Sequence, residues 1–208
     1  MMGEVRTALY GTPAVSRAEI LRYAGAREAD AALDGMLDAC VALASDAFTY
    51  RVAYATYPIT PTETGLDLGF ARTASRSLAK NLAGCERVLL FCATVGMAID
   101  RLILRESVRS PAKALLLEAI GSAHVEALCD AFLRDAAEKY AGEGYLLRPR
   151  YSPGYGDLPL SLQTEVFRAL SLPKTLGVSL NQSLLMTPRK TVTAIVGLCP
   201  ARCPKEQT

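Results

Sequence analysis

The sequence has no tryptophan, a single histidine and almost no net charge. Its 23 basic and 21 acidic residues give a formal charge of +2, and we find no helix face rich in Lys and Arg, which argues against nucleic acid or an anionic membrane as the main partner. No apolar run approaches the roughly 20 residues that a membrane helix needs. Residues 1–6 also lack the basic-then-apolar pattern of a signal peptide. We therefore expect a cytoplasmic protein.

The cysteines do not form a pattern typical of disulfides or metal sites. Cys40, Cys85, Cys92 and Cys129 lie singly in apolar segments, where cysteine acts as a small hydrophobic residue. We interpret most of them as core thiols.

Two further thiols lie close together in Cys199-Pro-Ala-Arg-Cys203. A structural metal site needs about four protein ligands and a catalytic one about three, but no other Cys or His lies nearby in the sequence. We interpret this pair as part of a solvated tail, with redox chemistry or metal binding as the alternative.

The first part of the chain has two helix signals. Ser16-Arg17-Ala18-Glu19 has capping-box spacing before apolar positions at helical intervals, and Gly25 is expected to end that helix. Apolar residues recur at helical spacing over 28–45. We therefore divide the chain into an N-terminal helical segment, residues 1–46, and a second unit, residues 47–208.

The second unit mixes strand and helix signals. We expect 64–70 to pair with 48–57 as a hairpin, and the last two strands to flank the basic turn Arg189-Lys190. A helix is expected to start at Ser110-Pro111, and another to end at Pro173. The segments are strands 48–57, 64–70, 87–93, 183–188 and 191–198, and helices 75–82, 97–106, 110–140 and 160–172. This order predicts an α+β fold with helices on a mostly antiparallel sheet.

Residues 147–159 form the most unusual segment, with three prolines, two glycines, two arginines and two tyrosines. Such a composition predicts a rigid, extended loop, and a surface connection is its common role. The alternative is a binding loop. Arg150 can fork onto a carboxylate, and Tyr155, across Ser-Pro-Gly, can stack on a flat heterocycle.

The long helix carries charged side chains within an otherwise apolar stretch. Glu126 and Asp130 lie one turn apart and share a face. This face is expected to be solvent-exposed, as such pairs usually are; a carboxylate at the edge of a pocket is the alternative.

Two segments carry a resemblance to a known family. Arg150-Tyr-Ser-Pro-Gly-Tyr155 followed by Pro159, and Leu-Leu-Met-Thr-Pro-Arg-Lys-Thr-Val-Thr-Ala-Ile-Val-Gly at 184–197, resemble the activation (reactivation) domain of cobalamin-dependent methionine synthase. They are more similar to its free-standing homologues. The Phe-Cys-Ala-Thr-Val-Gly turn, the long helix and the arginine loop occur in the same order, and the resemblance covers about residues 46–198.

The resemblance implies a C-shaped α+β domain, built around a twisted antiparallel sheet, that binds S-adenosylmethionine and acts on cobalamin held by another protein. In that family, inactive cob(II)alamin returns to methylcobalamin through one-electron reduction coupled to methyl transfer. The implied partners are methionine synthase or a related corrinoid protein, and a flavodoxin-type electron donor. The chain would be an activation component rather than an independent catalyst.

The resemblance also assigns roles to residues. Arg150 would hold the methionyl carboxylate, Tyr155 would close the loop against the ligand, and Glu126 would lie near the ligand's positive end and complement the sulfonium. The loop backbone would line the adenosine. The implied ligand-binding residues are Glu126, Arg150, Tyr151, Ser152, Pro153, Gly154 and Tyr155.

Two family features have no counterpart in this chain. The family's Asp-Trp-Thr-Pro-Phe segment, whose aspartate touches the ligand's amino group, is missing around residues 20–60, and Ala201-Arg-Cys-Pro-Lys205 replaces a tyrosine pair. These departures favour a second hypothesis, a docking module that caps a corrinoid protein without binding S-adenosylmethionine. A third hypothesis is a transferase for another anionic substrate, but we find no nucleophile or general base. His124 is expected to be structural.

Overall fold

The computed structural model describes residues 3–26 and 30–201. The strands are β1 (Arg6–Tyr10), β2 (Tyr50–Pro58), β3 (Thr60–Thr62), β4 (Gly65–Asp67), β5 (Arg72–Thr73), β6 (Arg87–Thr94), β7 (Tyr145–Leu147), β8 (Ser179–Leu180), β9 (Met186–Thr187) and β10 (Thr191–Pro200). The helices are α1 (Arg17–Tyr23), α2 (Ala31–Ala44), α3 (Arg76–Asn81), α4 (Ala98–Arg109), α5 (Pro111–Gly142), α6 (Gln163–Leu170) and α7 (Leu172–Thr175), with a 3-10 turn at Leu160–Leu162.

A curled antiparallel sheet forms the centre of the molecule. Its strand order is β1-β2-β6-β10-β7, and β6 pairs along its length with both β2 and β10. Helices flank this half-barrel. The predicted α+β class is therefore confirmed.

Strand β6 separates two hydrophobic cores. Leu89, Phe91 and Ala93 point to a core shared with α5, whereas Val88 and Leu90 and their neighbours point to a core shared with α6 and α7. Because successive side chains of a strand point to opposite faces, a strand covered on both faces must be apolar throughout. This is why residues 88–93 form a continuous apolar run.

The N-terminal part contains a strand that the sequence analysis missed. Strand β1 pairs with β2 at the edge of the sheet. Its alternation of apolar and polar residues is weak, because the apolar Leu9 is 82% exposed. Helices α1 and α2 form as predicted, and the Ser16 hydroxyl accepts from the Glu19 amide. Leu37 of α2 is buried in the same core as Phe91, so side chains from both sides of residue 46 share one core.

Two strand pairings differ from those predicted. Residues 65–67 pair with β3 and β5 in a separate small sheet rather than with β2. Strand β9 pairs with β8, not with β10. Pro188 follows β9 directly and has no amide hydrogen to donate to a ladder. The Arg189 amide instead donates to Asp100 Oδ2 over 2.6 Å.

The predicted helix at 160–172 is divided. Helix α6 ends at Leu170, where Ser171 adopts a left-handed conformation with φ of 49°. Pro173 does not end this helix. It lies in the first turn of α7, where a missing amide hydrogen costs nothing.

The prediction of a solvated tail is wrong for Cys199. This residue lies buried in β10, and its thiol donates to the Gly84 carbonyl over 3.0 Å. Cys203 lies outside the described residues. Across residues 3–26 and 30–201, no group of three or more His, Cys, Asp or Glu residues is arranged to hold a metal ion. No helix in these ranges is long and apolar enough to cross a membrane.

Candidate functional site

A cleft of about 880 Å³ opens beside the start of β10. Loop 150–155 forms one wall, residues 181–187 form another, and Thr191, Val192 and Thr193 line the strand side. Glu126 reaches the cleft from the middle of α5. Leu160 and Gln163 complete the lining, so the cleft collects side chains from distant parts of the sequence.

Hydrogen bonds to β10 hold the arginine loop in place. The Tyr151 amide donates to the Ile195 carbonyl, and the Ile195 amide donates to the Tyr151 carbonyl, both over 2.8 Å. The chain then turns, with Gly154 at φ of +92°, a conformation that glycine adopts without strain. The loop is thus an extension of the sheet edge.

Asp157 anchors the other end of the loop to α3. Its carboxylate accepts from the Ser75 hydroxyl (2.5 Å), the Arg76 amide (2.7 Å) and the Ser77 amide (3.1 Å). The hydrogen bond from Ser75, together with those from the Arg76 and Ser77 amides, lowers the pKa of Asp157 to about 2. The carboxylate therefore caps a helix and fixes the loop at the same time.

We expect Asp157→Asn to lower the melting temperature at neutral pH. The folded-state pKa is depressed, so the ionised carboxylate stabilises the fold above the unfolded pKa of about 3.9. That contribution is lost as the pH falls towards about 2. Thermal denaturation followed by circular dichroism should show a difference in melting temperature between wild type and variant that decreases as the pH falls through this range. A difference in melting temperature that stays constant with pH would contradict the anchoring role.

Arg150 and Glu126 form an ion pair in the cleft. The pair joins Arg150 Nη2 to Glu126 Oε2, and the two side chains are 31% and 26% exposed. Burial acts to lower the pKa of Arg150, but the hydrogen bond and charge of Glu126, with smaller contributions from Cys129 and Asp130, together raise this pKa above its ordinary value. Arg150 Nη1 is buried and has no hydrogen-bond partner among the described residues. This nitrogen lies below the surface of the cleft, and a ligand would meet the exposed part of the guanidinium.

Six of the seven predicted site residues line the cleft, and Gly154 does not. Tyr155 lies on the rim with 68% of its surface exposed. The exposed rim position leaves its ring free to approach a bound molecule. Gly154 contributes the turn.

The sequence analysis missed the polar side of the cleft. Thr193 Oγ1 donates to Gln163 Oε1 over 2.7 Å, and the Gln163 amide contacts Met186 Sδ at 3.5 Å. Gln163 is 4% exposed and shares the buried face of α6 with Val166 and Leu170. A polar residue on an apolar helical face is a signal that could have identified it.

A charged cluster fixes the chain between β9 and β10. Glu118 Oε2 contacts Lys190 Nζ at 2.6 Å, and Glu118 Oε1 contacts Arg189 Nη1 at 2.7 Å. The Lys190 stem crosses α5 at Gly121, where a Cβ atom would lie 3.0 Å from Lys190 Cε. The small residue at this position of α5 therefore lets Lys190 pack closely, and Arg189 is directed to the cleft.

His124 packs among aromatic side chains. Its ring stacks on Phe48 with a centroid distance of 4.1 Å, and Nδ1 lies 2.8 Å from the Tyr50 hydroxyl. Burial lowers the pKa of this histidine. It does not line the cleft.

The fold of the chain is similar to that of a solved structure, the MetH reactivation domain bound to AdoHcy. The TM-score is 0.66 with 13% sequence identity, and the match covers 97% of this chain and 80% of that chain. Comparison of the sequence with protein-family models and with curated proteins finds no match. The structural similarity establishes the fold.

Proposed function

We propose that the chain binds S-adenosylmethionine in this cleft and supports the reductive methylation of cob(II)alamin on a separate corrinoid protein, methionine synthase or a relative, in the cytoplasm. One observation carries the proposal. The Arg150 guanidinium is 31% exposed in the cleft and lies beside the Glu126 carboxylate. The solved domain of similar fold binds AdoHcy, the demethylated form of the same compound.

The cleft fits such a ligand in size and chemistry. Its volume of about 880 Å³ lies within the roughly 300–1,000 Å³ that is usual for small-molecule sites. The Arg150 side chain is 31% exposed in the cleft, where its guanidinium could donate charge-assisted hydrogen bonds to a ligand carboxylate. Hydrogen bonds of this kind are among the stronger ones in proteins. Thr191, Val192 and Thr193 offer both polar and apolar contacts.

The protein residues would act by positioning. Arg150 would orient the amino-acid end, Glu126 would complement positive charge, and the backbone at 151–153 would line the adenosine. When bound, S-adenosylmethionine supplies the methyl group for cobalamin, and a flavodoxin-type protein would supply the electron. The chain itself contributes orientation and fixed charge.

Two observations favour the alternative, a docking module that binds no S-adenosylmethionine. Arg150 already has a carboxylate partner in Glu126. The rim of the cleft also exposes two large side chains, Tyr155 at 68% and Leu185 at 63%, which could contact a protein surface. Direct titration separates the two functions.

We expect calorimetric titration with S-adenosylmethionine to show saturable binding in the micromolar range. S-Adenosylhomocysteine should bind the same site, because it keeps the carboxylate that Arg150 would hold. If neither compound produces heat at millimolar concentration, the proposed S-adenosylmethionine binding is wrong. The result would then favour the docking-module function.

Glu126→Gln is expected to weaken S-adenosylmethionine more than S-adenosylhomocysteine. Only the former carries the sulfonium charge, and removing a nearby carboxylate should cost about tenfold in its affinity. Asp130→Asn is the matched control, since Asp130 lies one turn away on α5, is exposed and does not line the cleft. Equal losses for the two ligands would show that Glu126 does not sense the sulfonium.

A further inference from the structure

A second hollow lies near the other end of α5. Glu126 lines the cleft and Tyr140 lines this hollow. The 14 positions between them correspond to about 20 Å along a helix. The hollow has a volume of about 200 Å³ and lies between the first strands of the sheet and the last turn of α5. It shares no lining residue with the cleft.

The hollow is lined by charges of both signs. The cations are Arg6, Arg87 and Lys139, and the carboxylates are Glu4 and Glu143. Arg6 and Glu4 are paired with each other at 2.9 Å. Of the other three charges, Arg87 and Glu143 form only a long ion pair of 3.8 Å.

Arg87, Lys139 and Glu143 have unused hydrogen-bonding capacity. Arg87 Nη2 donates to Thr56 Oγ1 over 3.1 Å, which fixes the guanidinium. Its Nη1 is 3.8 Å from Glu143 Oε2, too far for a hydrogen bond. No carboxylate lies within 4.0 Å of Lys139 Nζ in the part of the chain that the structure describes, although Glu143 is only one helical turn away.

An apolar extension adjoins this polar hollow. A smaller hollow of about 80 Å³ shares Tyr54, Lys139 and Tyr140 with it. Side chains of both β1 and α5 contribute to the extension, and most of them are apolar. It is lined in addition by Ala8, Tyr10, Leu89, Phe132, Asp135 and Ala136.

We propose that the two hollows together bind a free α-amino acid with an apolar side chain. The carboxylate binds at Arg87 and Lys139, the ammonium binds at Glu143, and the side chain enters the apolar extension. This site is distinct from the proposed S-adenosylmethionine cleft. An amino acid bound here would contact β2 and α5, two elements of the core that also supports the cleft.

The mixture of charges distinguishes this ligand from a phosphate or a nucleotide. A phosphate dianion in the hollow would lie beside the Glu143 carboxylate as well as the cations, and like charges repel. A zwitterionic amino acid can pair its carboxylate with the cations and its ammonium with the Glu143 carboxylate. The volume of about 200 Å³ is also below the roughly 300–1,000 Å³ usual for larger ligands.

An NMR titration of the whole chain with L-leucine tests the proposal. Saturable shifts are expected at the backbone amides of Thr56, Lys139 and Glu143. The analogues 4-methylpentanoate, which lacks the ammonium group, and 3-methylbutylamine, which lacks the carboxylate, should bind at least about tenfold more weakly. The proposal fails if leucine gives no saturable shift, if either analogue matches leucine, or if inorganic phosphate alone saturates these amides.

Charge-neutral variants locate the site. Lys139→Gln and Glu143→Gln should each weaken leucine binding at least about fivefold. Lys174→Gln and Glu138→Gln remove one exposed charge each outside the hollow and should leave binding unchanged. Equal effects in variants and controls would overturn the assignment. So would leucine shifts confined to cleft residues such as Thr193. Leucine binding should survive Arg150→Ala, so that failure here and failure of the cleft can be told apart.

Discussion

Replacing Arg150 by alanine is expected to remove measurable S-adenosylmethionine binding while leaving the fold intact. The guanidinium is 31% exposed in the cleft, where it would donate charge-assisted hydrogen bonds to the ligand carboxylate. Loss of charge-assisted hydrogen bonds of this kind should cost about 2–4 kcal/mol, or roughly 30- to 1,000-fold in affinity. Calorimetry measures the loss directly.

The fold should tolerate the change because the loop is held by its backbone. The two hydrogen bonds between Tyr151 and Ile195 and the anchor at Asp157 do not involve the Arg150 side chain. Arg148→Ala is the matched control, since Arg148 is in the same loop but outside the cleft, where it donates to the Ala83 carbonyl. If Arg150→Ala binds normally yet unfolds at lower temperature, Arg150 has a structural role and the site assignment is wrong.

Phe91→Ala is expected to cause the largest loss of stability, about 3–5 kcal/mol. Phe91 is fully buried in the central strand β6, and its ring contacts Phe132 with a centroid distance of 5.0 Å. Strands β2 and β10 hold β6 on both sides, so the backbone has little freedom to move into the cavity. Domains are usually stable by only about 5–15 kcal/mol, so this one change removes a large part of the total.

Urea denaturation monitored by circular dichroism measures this loss. Leu9→Ala is a suitable control, because Leu9 is 82% exposed on the edge strand and surface changes usually alter stability by less than about 0.5 kcal/mol. A loss below about 1 kcal/mol for Phe91→Ala would contradict the two-sided packing of β6.

Local signals predicted the larger elements correctly. The helix starts at Ser16 and Ser110 could be predicted from the sequence, because the side chain of a capping residue accepts a hydrogen bond from the amide three residues later. The apolar run at 88–93 predicted a strand because a strand buried on both faces leaves few polar positions. These features depend only on neighbouring residues, and they carried the fold class.

Features that depend on residues far away in the sequence could not be predicted from local signals. Strand β1 forms because β2 offers it an edge, and β9 pairs with β8 because the chain after Thr187 is directed towards Asp100 and Glu118. Arg150 and Glu126 were both candidate ligand-binding residues by resemblance. Their direct pairing across 24 positions has no local signature.

The attachment of loop 150–155 to β10 affects the entropy of binding. The Tyr151 amide and carbonyl are both bonded to Ile195, whose side chain lies fully buried in the core shared with α6 and α7. The backbone order of this wall is therefore achieved when the chain folds rather than when a ligand arrives. Preorganisation of this kind lowers the cost of association. A molecule entering the cleft meets a wall whose backbone is already fixed, and only rim side chains such as Tyr155 still have rotamers to lose.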